Sequence, residues 1–156
     1  MRPGAPVTAP APRPLCVTLS SMNSVTVILG SAFIFLAALV HIMIFFMESV
    51  LWHKARVQKT FGVFTSEEAA IIKPWAYNQG FYNAFLALGA GTGLVMMGSL
   101  NLWPAGIALA MFAALSMLLA SVVLITSQPK MARAAAIQGI PPLLGIFFLV
   151  LALTVG

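Results

Sequence analysis

The run from Val25 to Met47 limits this chain more than any other stretch. It is apolar almost without interruption, broken late by His41 and closed by Glu48. About 23 residues at 1.5 Å per residue make roughly 35 Å of helix, enough to cross a hydrocarbon core ~30 Å thick with some tilt. A soluble domain has little use for such a helix. Composition agrees: 61% of the residues are hydrophobic and 7% are charged, where a soluble domain carries about 25% charged residues. The length of 156 residues suits one bundle and no separate soluble domain. The formal charge of +5 comes from few residues, clustered beside apolar spans. That pattern makes the lipid bilayer and its anionic headgroups the expected partner and argues against nucleic acid. The lone Cys16 excludes an intrachain disulfide. No Cys/His spacing fits a metal site and no motif fits a cofactor, so neither is expected.

The sequence predicts an all-α fold: a four-helix transmembrane bundle with short loops and a disordered N-terminal tail. Residues 1–21 are rich in Pro and Ala and form the tail; residues 22–156 form the membrane domain. Met22 as an alternative start would leave the tail out. The helices are expected at about 25–52, 75–100, 103–126 and 130–155. The long connector holds Thr65 and Glu68, a capping box that starts a short helix at Ser66; otherwise it reads as an interfacial link. Pro74 suits the first turn of helix two, and Asn101 and Pro104 suit the start of helix three. Pro141 and Pro142 either start the membrane part of helix four or kink a helix begun near Pro129. The first and third loops share Lys54, Arg56, Lys59, Lys73, Lys130 and Arg133. The positive-inside rule then puts those loops in the cytoplasm and both termini outside, with Trp52 and Trp75 in the cytoplasmic aromatic belt.

The polar residues of the first helix share a face. His41, Phe45, Glu48 and Trp52 follow helical spacing, and Ala37, Ile34 and Gly30 continue the stripe toward the N-terminus. Phe33, Phe35, Leu39, Ile42 and Phe46 lie on the other sides and suit lipid. An ionisable group in a span is expected to face protein or a water-filled cavity. Helix two opens with Asn78, Gln79, Tyr82 and Asn83, read as one broad face that continues through Gly89, Ala90 and Gly93. Gly89 and Gly93 have the spacing that lets helices approach closely. If the two stripes meet, His41, Glu48, Asn78, Gln79, Tyr82 and Asn83 converge on a polar pocket, with Gln138 of helix four joining them. In the plainer reading these groups satisfy one another and lock the bundle.

The segment from His41 to Glu48, Leu51-Trp52, the run Asn78-Gln79-Gly80-Phe81-Tyr82-Asn83 and the later Gln138-Gly139-Ile140-Pro141 resemble the bacterial membrane family known as domain of unknown function 1304. The resemblance covers about residues 22–156. It implies a small four-helix inner-membrane protein and brings no established activity.

Three function classes are compatible with these residues. The leading one binds or transports a small amphiphilic molecule or a proton through the pocket. A membrane enzyme would use His41 and Glu48 as acid and base near Tyr82. A structural subunit, or a homo-oligomer packed through small-residue faces, needs no pocket at all.

Overall fold

The computed structural model describes residues 15–155, with side chains described from residue 24 to 154. Five α-helices account for most of it: α1 (Leu15–Phe45), α2 (Ala55–Thr60), α3 (Ser66–Met97), α4 (Trp103–Ser127) and α5 (Ala132–Val155). A π turn, Phe46–Val50, ends α1, and a 3-10 turn, Pro129–Met131, leads into α5. No strand occurs among the described residues. Four helices are long and apolar enough to cross a membrane. The protein is therefore read as a multi-pass, all-α membrane protein.

The long helices form a ring. α1 packs on α3 and α5, α4 packs on the same two, and α1 and α4 barely meet across the diagonal. The C-terminal ends of α1 and α4 thus share one end of the bundle with the N-terminal ends of α3 and α5. The basic loops lie at that end. The core is built from small and slender residues: Ile34, Ala37, Ala90, Ala110, Ala114, Met117 and Leu149 have no exposed surface. Phe35, Leu39, Leu88, Val95 and Phe112 point outward. Lipid is as apolar as these side chains, so close van der Waals packing, not the hydrophobic effect, has to hold the helices together.

The tightest approach is between α3 and α4. A Cβ at Gly93 would stand 2.5 Å from the Ala110 nitrogen and 2.8 Å from the Gly106 oxygen. Of the expected Gly89–Gly93 pair, only Gly93 sits in the crossing; a Cβ at Gly89 would make an ordinary 3.8 Å contact with Ala113.

Two boundaries differ from the sequence expectation. α1 starts at Leu15, inside the stretch expected as a tail, and residues 1–14 of that stretch lie outside the described residues. α3 starts at Ser66 and runs unbroken, which places Pro74 inside a helix instead of in its first turn. Proline costs the bond to the carbonyl one turn back. The turns around it persist because Ala69, Ile72 and Ala76 pack on Trp52, Val57, Phe61 and Val63. α5 passes through Pro141 and Pro142, so of the two expected alternatives the helix that begins near Pro129 is the one found. The expected cap is present: Thr65 accepts the Glu68 N–H at 3.2 Å. The Glu68 carboxylate reaches past the cap residue to the Phe64 N–H at 3.4 Å.

The Gly93 crossing generates a paired prediction. Gly93→Ala forces backbone against backbone and should cost about 1–3 kcal/mol. At Gly91 a Cβ meets nothing within 4 Å, and Gly91→Ala should hold or raise stability through helix propensity. Thermal unfolding in detergent checks the order; equal midpoints would contradict this packing.

Candidate functional site

The site begins where α1 changes pitch. The Leu51 N–H bonds to the Phe46 oxygen at 2.8 Å, closing the π turn. A π turn carries more residues per turn, so the residues after it are rotated off the helix's earlier register. Glu48, within the turn, stays inward and is 8% exposed. Trp52 lies beyond the helix end. Its Nε1–H donates to the Ala69 oxygen at 3.0 Å, its oxygen accepts from Gln58 Nε2 at 2.8 Å, and its ring packs on Phe61. Trp52 is therefore a buried clasp between the connector and α3, and not the belt residue the sequence suggested. Trp75 is exposed.

α3 meets this turn through Gly80. A Cβ there would collide with Ser49 Oγ and lie 3.2 Å from the Glu48 Cβ. Ser49 Oγ donates to the Tyr77 oxygen at 2.9 Å and pins the two helices at that level. One turn further along α3, Asn83 Nδ2 donates to Glu48 Oε2 at 3.0 Å and to the Gln79 oxygen at 3.1 Å. Both side chains are buried. Among the described residues no lysine, arginine or histidine pairs with Glu48.

Glu48 borders two cavities. The inner one, about 500 Å³, lies within the bundle at its loop end. Met43 and Met47 of α1, Val123 and Leu124 of α4, and Ala134 and Ile137 of α5 supply much of its wall. Glu48, Gln79, Asn83, Thr60, Ser127 and Gln138 supply the polar groups. The outer cavity, about 340 Å³, is bordered by Trp52, Phe61, Trp75, Asn78 and Gln79. Glu48, Phe61 and Gln79 belong to both. Apolar walls with a few convergent polar groups at this volume are the usual make-up of a small-molecule site.

The structure brings together Glu48, Gln79, Asn83 and Gln138 around the inner cavity and places Asn78 at the outer one alone. Tyr82 is a correction: it is exposed and borders neither cavity. One residue along an α-helix turns the side chain by about 100°, so Tyr82 and Asn83 cannot share a narrow face. His41 is a second correction. It is fully buried, its Nδ1–H donates to the Ala37 oxygen at 2.9 Å, and it borders neither cavity. Its Nε2 has no partner. It makes no hydrogen bond or ion pair with Glu48. No group of His, Cys, Asp and Glu among the described residues could hold a metal ion.

Sequence reasoning missed Phe61, Thr60 and Ser127. Phe61 lies in the connector and Ser127 at the end of α4. No local signal separates them from ordinary loop and helix-end residues.

A family model described as a protein of unknown function (DUF1304) matches residues 35–150. No curated protein and no solved structure matches the chain.

The Glu48–Asn83 pair yields a double-mutant prediction. Asn83→Leu strips the buried carboxyl of its donor and should cost about 1–3 kcal/mol. Adding Glu48→Leu removes the orphaned group and should recover most of that loss. Thermal unfolding of the two single variants and the double reads the coupling; strictly additive losses would contradict the pairing.

Proposed function

The chain belongs to the DUF1304 family of proteins of unknown function, and from that premise we propose that it takes a small amphiphilic molecule into the inner cavity from the end that carries the basic loops. The observation behind this is the 500 Å³ cavity itself, apolar over much of its wall and bordered by the hydrogen-bonded Glu48–Asn83 pair. Deeper in the bundle Ile34, Ala37, Ala90 and Ala114 are fully buried. The site is thus a pouch and not a channel, which favours binding; transport would require that core to part on the other side. Among the described residues Glu48 is the one ionisable side chain on either cavity wall, which makes it the candidate for any proton handled at the site. The acid–base set of an enzyme lacks its members, since His41 is off the wall and Tyr82 faces out.

The proposed setting is the bacterial inner membrane. Lys54, Arg56, Lys59, Lys73, Lys130 and Arg133 at one bundle end support a cytoplasmic mouth and termini on the opposite side. A reporter fused after Gly156 should report a non-cytoplasmic end; cytoplasmic activity would reverse the orientation.

Filling the cavity tests the binding reading. Ala134 borders it, and Ala134→Phe should remove non-covalent adducts that the unaltered protein retains in native mass spectrometry. The same adduct masses in both proteins would place the ligand elsewhere.

A further inference from the structure

We infer that the cavity's ligand is a cationic amphiphile, an alkylammonium-type molecule with its head at Glu48 and its chain in the inner cavity. This rests on the binding reading above and narrows it to a chemical class.

The wall chemistry is one-sided. Of the described residues bordering the two cavities, Glu48 alone ionises; no lysine, arginine or histidine is among them. An anionic head would find no counter-charge and would face a carboxyl. The basic side chains of the loops attract anions to the membrane surface, but none of them borders the pouch. The carboxyl also has unused capacity. A carboxylate offers about four acceptor positions, and the bond from Asn83 occupies Oε2. Oε1 has no donor among the described residues, yet it is not among the sealed, unpartnered atoms. An accessible oxygen on a residue that lines two cavities is available to a ligand. A charge in an apolar surrounding is stabilised by a partner of opposite sign, which a cationic head supplies.

Shape agrees with charge. Glu48 stands on the partition between the cavities. On the outer side Trp52, Phe61 and Trp75 stand with it on the wall. Aromatic faces beside a carboxyl are the established means of holding an ammonium group, above all one bearing methyl groups. On the inner side Met43, Met47, Val123, Leu124 and Ile137 offer an apolar sleeve for a chain, and methionine adapts well to varied apolar shapes. Head and chain therefore have separate places, joined at Glu48. Asn83 acts as a positioning residue: its bond to the Gln79 oxygen orients the amide, and its bond to Oε2 holds the carboxyl at the partition.

Equilibrium dialysis of the full chain in maltoside micelles, with protein-free micelles as baseline, tests this with three probes of equal chain length: decyltrimethylammonium, decyl sulfate and decanol. Saturable binding of the ammonium, at least tenfold tighter than the other two, is expected. Glu48→Gln should weaken ammonium binding at least tenfold, about 1.4 kcal/mol, and Glu48→Asp should recover part of it; gel filtration checks that both variants fold. Decanol or decyl sulfate bound as tightly as the ammonium, with no effect of Glu48→Gln, would overturn the cationic class and leave the cavity reading standing. Saturable binding of none of the three would overturn both.

Discussion

A carboxyl carried into an apolar bundle needs a donor, and Glu48 obtains one because α3 can come close at Gly80. Any side chain there would strike Ser49 and the Glu48 stem. With hydrogen alone at that position, Ser49 bonds to the Tyr77 oxygen and Asn83 reaches the Glu48 carboxyl. The π turn sets the other half of the geometry, keeping Glu48 inward at the place where α1 ends. These few contacts fix the height and orientation of the one ionisable group among the described residues of the cavity walls.

The bundle is closed in its interior and open at one end for related reasons. Where α3 crosses α4, Gly93 and Gly106 let backbone touch backbone, and alanines fill the remaining space. Small side chains leave no room for a cavity there. Toward the loops the wall residues become longer and polar, and the ends are held by the connector. Trp52 clasps the start of α3 through Ala69, and Phe61, packed against Trp52, forms part of both cavity walls. The connector is thus part of the site's architecture as well as a link between spans.

Much of this is legible in the chain. The buried stripe of α1 passes through Gly30, Ile34, Ala37, His41 and Glu48 as helical spacing requires. The Thr65 cap is written in the residues that make it. The rest depends on contacts between distant segments. Nothing in Phe46–Val50 announces a π turn, and nothing in Trp52 itself separates a buried clasp from a residue of the aromatic belt. The polar cluster at the start of helix two projects as one broad face, yet only Gly80 and Asn83 of it are buried. Tyr82 suits a polar pocket by its chemistry, not by its angle, and Asn78 reaches only the outer cavity. The contributions of α4 and α5 are hidden because Val123, Leu124 and Ile137 resemble any lipid-facing residue until the ring closes around them.

The central claim is that the loop end of the bundle encloses an open, reachable space while the rest is sealed. Its most direct measurement is the reactivity of single cysteines toward a small water-soluble thiol reagent, in a Cys16→Ser background. Ala134→Cys stands on the cavity wall, and Ala114→Cys stands in the fully buried core. The account predicts ready reaction at 134 and none at 114; a cysteine at 134 as unreactive as the one at 114 would contradict it.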